Sequence, residues 1–207
     1  MKGRPTSMAP LRTALAACIV FCSVLVAPAQ AQMTDMERQR LLAHMEMTSR
    51  WLEDEVSGLT DAQLAFRLSS TSWSILDTLD HLVVVGPIYW KDLQNARPTA
   101  TGRVGMMNDA DVLWYGIDRT NRETALATED ASHKLKDVQA GLKAYRAQHA
   151  QLVQYLRTTK DDLRRRFVER QNSDAYQWAL LISTHEQRHI MQIREIKANP
   201  KYPKAAK

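Results

Sequence analysis

Two histidines, His185 and His189, stand one helical turn apart in the run Trp178-Ala-Leu-Leu-Ile-Ser-Thr-His-Glu-Gln-Arg-His-Ile-Met-Gln-Ile193. Positions i and i+4 share a face of a helix, and this face also carries Trp178, Ile182, Ile193 and Ile196. The apolar side of the helix therefore turns two imidazoles inward. Unpartnered polar groups there cost free energy, and a shared metal ion would satisfy both. A third ligand has to come from elsewhere in the chain. His81 stands in the most apolar helical segment, directly before Leu82-Val83-Val84-Val85. A charged imidazole would be costly in that setting, and a neutral one bound to a metal would not.

Other residues could serve the same site. His149 lies on the inner stripe of a later helix, either as a group supporting the ligands or as a plain buried hydrogen-bonding residue. Glu186, between the paired histidines, could act as a catalytic acid or base, or face solvent. The five residues His185-Glu186-Gln187-Arg188-His189 also match H-E-x-x-H, in which the Glu is the general base of a zinc peptidase. Their surroundings argue against that reading. Gln192 and Glu195 occupy the extended-motif positions, Arg188 is charged, and only a short tail remains to supply another ligand. Trp114, Tyr115 and Arg119 fall in a long irregular segment and could bind substrate; Arg119 and Arg122 are also compatible with ordinary surface arginines. His44 is expected to pack, and His133 to be exposed.

The elements that must position these residues follow from periodicity. Four segments repeat apolar residues at helical spacing. The first runs from about Asp35 to Val56, with Leu41, Met45, Thr48, Leu52 and Val56 on one side. The second starts near Ser72, a candidate cap, and runs toward Asn95. The third spans about Lys134 to Thr158, and the fourth runs from about Asp174 to Ala198 and stops before Pro200. Strand-like alternation is nearly absent. The pattern predicts an all-α fold, an antiparallel four-helix bundle with a long loop, Arg97 to Ser132, between helices 2 and 3. A segment that long is more often functional than idle. It could fold as a lid over the metal end, with Trp114 or Tyr115 facing His81, or lie on the outer surface as a dimer contact. Lys160 to Arg166 is charge-rich and reads as solvated surface.

With these elements placed, the chain resembles the DinB-like proteins over essentially all of its length after the N-terminal segment. The resemblance rests on Trp73-Ser74 leading to His81. It rests also on Tyr176-Gln177-Trp178 leading to His185-Glu186-Gln187-Arg188-His189, with Gln192-Ile193 and Glu195-Ile196 following, and more weakly on Asp118-Arg119-Thr120. It implies a four-helix bundle with His81, His185 and His189 as metal ligands, usually in a homodimer. Family members include thiol-dependent transferases and isomerases. Three neutral imidazoles leave coordination positions open, as catalytic metal sites do. Zinc or nickel suits such ligands. The expected function is a metal-dependent hydrolase or transferase acting on a small molecule. The alternatives are a non-catalytic metal- or ligand-binding protein and, last, the zinc peptidase.

The N-terminus of this 207-residue chain reads as a secretory signal over residues 1–31. Lys2, Arg4 and Arg12 precede an apolar stretch from about Thr13 to Val26, then Ala29-Gln30-Ala31, an A-x-A cleavage pattern. Leu15-Ala16-Ala17-Cys18 looks like a lipoprotein box, but Arg12 lies too close to it. The expectation is a secreted or periplasmic protein cleaved after Ala31, with a domain over residues 32–200, a flexible tail over 201–207, and no membrane association once the signal is gone. Both cysteines, Cys18 and Cys22, lie in the signal, which leaves no disulfide and no thiolate ligand. Loss of the signal leaves 25 basic against 23 acidic residues. No basic stripe interleaved with aromatics remains, so nucleic acid is not an expected partner.

Overall fold

The computed structural model describes residues 33–99 and 108–204. The expected signal peptide and its cleavage site lie outside the described residues, as do residues 205–207 of the expected tail. Four long helices form the body: α1 (Asp35–Val56), α3 (Ile75–Gln94), α5 (Val138–Thr158) and α6 (Ala175–Lys197). Two short helices, α2 (Asp61–Ala65) and α4 (Asp109–Tyr115), lie in the connections.

Side-chain caps set the starts of these helices. Thr34 and Glu37 form a reciprocal capping box at α1, and Ser74 and Asp77 form one at α3. The start of α3 therefore lies two residues beyond Ser72. Asp77 stands three residues after Ser74 and completes its box, while the Ser72 hydroxyl is spent on a turn with Ser69. Helix α5 likewise begins later than the periodicity suggests, because Asp137 takes the amides of Gln139 and Ala140.

Contacts between helices fix their directions. His44 meets Ser183 and Glu55 meets Arg194, so α1 runs parallel to α6. Leu79 lies against Gly141 and Val83 against Gln148, so α3 runs parallel to α5. Glu53–Arg146 and Arg38–Leu156 make α1 antiparallel to α5, and His81–His185 and Tyr89–Trp178 make α3 antiparallel to α6. The bundle is thus ordered up, down, down, up. A parallel neighbour can be reached only by travelling back along the bundle, and this explains why the connection from α3 to α5 is long.

The core forms two apolar clusters. One gathers Leu41, Met45, Val85, Tyr89, Leu152, Trp178 and Ile182; the other gathers Leu52, Ile75, Leu79, Leu82, Leu142, Tyr145, Ile190 and Ile193. Between them lies a polar layer. Thr48 Oγ1 is 3.0 Å from Ser183 Oγ and donates to Glu186 Oε2 at 3.1 Å, and His44 Nδ1 is 2.8 Å from the same serine.

Three features depart from the sequence reading. A small antiparallel sheet, β1 (Arg97–Pro98), β2 (Arg166–Val168) and β3 (Ser173–Asp174), ties the end of α3 to the α5–α6 connection. The stretch Lys160 to Arg166 is not wholly solvated. Leu163 is buried, and Arg164, 3% exposed, pairs with Glu37, Asp109 and Asp174 at the starts of α1, α4 and α6. The tail is tied down past Lys201, since Tyr202 packs edge-on to Phe66 and Gln63 donates to the Pro203 carbonyl.

Candidate metal centre

Helices α3 and α6 bring His81, His185 and His189 together although more than 100 residues separate His81 from His185 in the chain. All three are buried. His185 Nε2 lies 3.3 Å from His81 Nε2 and 3.1 Å from His189 Nε2. The opposite ring nitrogens are committed elsewhere. His81 Nδ1 donates to the Glu129 carbonyl at 2.5 Å, and His189 Nδ1 donates to Gln192 Oε1 at 2.9 Å. A carbonyl can only accept, so each of these rings carries its proton on Nδ1 and presents a bare Nε2 lone pair to its neighbours.

Burial reinforces this state. It lowers all three imidazoles: His185 to about 3, with the neighbouring charges of His81 and Arg188 adding to the effect, and His189 well below its ordinary value. His81 is lowered too, burial outweighing its bond to Glu129. The single Nε2 of His185 carries at most one proton, so it cannot satisfy the lone pairs of both His81 and His189 by hydrogen bonding. A divalent ion would satisfy all three at once, and the donor set fits one. Among the described residues, no other group of histidine, cysteine and carboxylate side chains is arranged in this way.

Aromatic rings wall the cluster. Trp73 lies over His81 at 4.7 Å between centroids and over His189 at 6.0 Å, and Tyr89 meets His185 edge-on at 5.4 Å. The long connection closes over the same end. Besides the Glu129 carbonyl on His81, Ser132 donates to Asp80 and His133 to Asp77. Arg188 holds the preceding stretch by donating to the carbonyls of Tyr115, Asp118 and Asn121. Its guanidinium also lies 4.7 Å from the Tyr115 ring centroid. The described stretch 115–133 of the connection thus covers the end of the bundle that holds the three imidazoles.

The remaining sequence candidates divide. Tyr115 is packed beside this end, and burial raises its hydroxyl to about 12. Arg119 is close enough for its charge to help lower His189, but it is held by Glu195 at 3.1 and 3.2 Å. Trp114 does not face His81: it is 62% exposed and points outward from α4. His149 is outside the cluster and donates from Nε2 to the Met45 carbonyl at 3.2 Å. Glu186 is not solvent-facing. It is 7% exposed, turned toward Thr48 of α1, and raised by burial to about 8 against the bonds from Thr48 and Tyr145. His44 is half-buried against Ser183, and His133 is largely exposed.

Sequence reasoning missed Glu129, Tyr89 and the role of Gln192. Gln192 was findable, because i+3 from a ligand is the reach of a helical side chain. Glu129 acts through its backbone carbonyl, which leaves no trace in residue type.

The sequence model of the DinB superfamily matches residues 33–193. Among solved structures the chain is similar to YfiT from Bacillus subtilis, described as a probable metal-dependent hydrolase with an unusual four-helix bundle topology. The two share 15% sequence identity over 83% of this chain and 91% of that one, with a TM-score of 0.52. That likeness concerns the fold. No curated protein matches the chain in sequence.

Proposed function

The chain belongs to the DinB superfamily, and from that premise we propose that it is a metal-dependent enzyme that acts on a small molecule at His81, His185 and His189, a hydrolase in preference to a transferase. The observation that carries this reading is the convergence of three buried Nε2 atoms, with the rings of His81 and His189 held by hydrogen bonds on their far sides. A bound divalent ion supplies Lewis acidity and brings the pKa of a water to about 7. Zinc or nickel is the metal we assign, from the all-imidazole donor set.

The chain's own residues do the rest. The Glu129 carbonyl and Gln192 orient two of the three ligands. Trp73, Tyr89 and Tyr115 keep the surroundings apolar and restrict water. Arg119 lies near His189 but is paired with Glu195, so it shapes the edge of the site rather than offering a free charge. Glu186 weighs against the peptidase reading, since its carboxyl is buried, bonded to Thr48 on α1 and not grouped with the three imidazoles, where a general base would have to reach the metal-bound water.

Export is part of the proposal and rests on the sequence pattern of residues 1–31. Low-molecular-weight thiols are mainly cytosolic, and for an exported protein this favours hydrolysis over thiol transfer. No helix among the described residues is long and apolar enough to cross a membrane.

The test is elemental analysis of protein purified from its native compartment, followed by a hydrolase substrate screen with and without chelator. Near-stoichiometric zinc or nickel is expected, lost in the His185→Ala/His189→Ala double variant. Full metal content in that variant would remove the proposed site.

A further inference from the structure

We infer that Glu129 and Arg170 are positioning residues of the metal centre. Arg170, on the turn between β2 and β3, clasps the Glu129 side chain and so keeps the Glu129 carbonyl on His81. The inference rests on the metal reading above and extends it to how the ligands are held. Arg170 Nη1 donates to Glu129 Oε1 at 2.5 Å, and Arg170 Nε donates to Asp92 of α3. One guanidinium thus joins the long connection to the helix that carries His81.

The Glu129 carboxylate stands outside the imidazole cluster, so it is not a further ligand. A buried carboxylate is costly unless it is paired, and both oxygens of this one are engaged. Arg170 holds Oε1, and the Tyr89 hydroxyl donates to Oε2 at 3.4 Å. Tyr89 is also the ring that meets His185 edge-on. The carbonyl of the same residue accepts from His81 Nδ1 at 2.5 Å. Carboxylate and carbonyl share one Cα, so a side chain fixed at both oxygens restricts where the carbonyl can move.

Burial and support distinguish this pair from an incidental one. Exposed ion pairs contribute little, but the Glu129 side chain is 11% exposed and that of Arg170 30%. Charge-assisted bonds are also roughly twice as strong as neutral ones. The turn that presents Arg170 is itself fixed. Asn172 adopts the left-handed region, with φ 49°, and its amide donates to the Glu169 carbonyl at 3.2 Å. Strand β2 is paired on both sides. The neighbouring Arg97–Glu169 pair on the same sheet is largely exposed and serves as a control.

The experiment uses the purified protein with isotope-labelled histidine, as wild type, Arg170→Gln, Glu129→Gln, the double variant and Arg97→Gln. Zinc affinity is read by competition with a chromogenic chelator. In chelator-stripped protein, NMR reads the solvent exchange of the His81 and His189 Nδ1 protons. Arg170→Gln and Glu129→Gln should each weaken zinc and speed exchange at His81 about tenfold, the lower end of what losing an outer partner of a ligand costs. Exchange at His189, which Gln192 holds, should not change. The double variant should lose no more than either single one, because both break the same bond. Arg97→Gln should match wild type. Unchanged exchange at His81, equal acceleration at His189, additive losses in the double variant, or the same losses in Arg97→Gln would each overturn the clasp. Selective acceleration at His81 in a protein that takes up no zinc would sink the metal reading and leave the clasp standing.

Discussion

Gln148 Nε2 donates to the carbonyl of Val83 at 3.0 Å, in the place of an amide that helix α3 lacks. The missing amide is that of Pro87, four residues on, which has no N–H to return to Val83. A side chain on α5 thus repairs the hydrogen-bond ladder of α3 and sets the register of the two parallel helices two residues from His81.

Replacing Gln148 by Ala is expected to cost about 1 kcal/mol of stability, the net worth of one hydrogen bond. In a Pro87→Ala background the restored amide should reach Val83, and the same change should cost less. A double-mutant cycle in urea reads this directly. An equal cost in both backgrounds would show that the glutamine does not serve the orphaned carbonyl.

Gln192→Leu should lower metal affinity by roughly 10- to 100-fold, the usual effect of losing the partner that orients a ligating histidine. His133→Ala should leave affinity unchanged, because that ring bonds to Asp77 outside the cluster. Competition with a chromogenic chelator measures both; unchanged affinity in Gln192→Leu would mean that His189 holds its orientation without it.

Much of this architecture is legible in residue order. The stripe Leu41, Met45, Thr48, Leu52, Val56 is the buried face of α1, and His81, His185 and His189 meet. The places that were not legible depend on distant partners. Glu186 reads as exposed because a carboxylate on a helix normally is, yet Thr48 and Tyr145 lie beside it inside the bundle. The two-residue strands are too short to show alternation. Arg164 sits in a charged run, and nothing local reveals that three helix starts converge on it.

Arg164→Met should destabilise the protein by about 3–5 kcal/mol, the range for breaking a buried charge network. It would leave Glu37, Asp109 and Asp174 without their common counter-charge. Arg164→Lys should recover only part, because one ammonium cannot match the guanidinium fork. Urea midpoints for the two variants check this. A loss below about 1 kcal/mol would mark the network as a surface feature.

Asp77 ties stability to acid. Burial alone would raise its pKa, but hydrogen bonds from the Ser74 hydroxyl and amide, the bond from His133 and the charge of Arg67 outweigh burial and hold it below the ordinary carboxylate range. A folded pKa below the unfolded one gives stability that is full above about pH 4 and is lost as pH falls through the folded value. Asp77→Asn should therefore cost about 1–2 kcal/mol near pH 6, and the gap to wild type should narrow below pH 4. A gap that stays constant down to pH 2.5 in chemical denaturation would contradict this.

The covering of the metal end separates Tyr115 from its neighbour Trp114. Arg188 pins the stretch after α4 through three carbonyls and lies over the Tyr115 ring, while Trp114 points to solvent. If this stretch controls access, the rate at which a chelator strips the metal depends on how firmly it is held. Arg188→Ala and Tyr115→Ala should raise that rate by about tenfold, equivalent to one or two lost hydrogen bonds. Trp114→Ala should leave it unchanged. Both aromatic residues flank the same turn and carry large side chains, so a nonspecific loosening of α4 would speed stripping in both variants. Only a wall formed by the inward ring predicts that they differ.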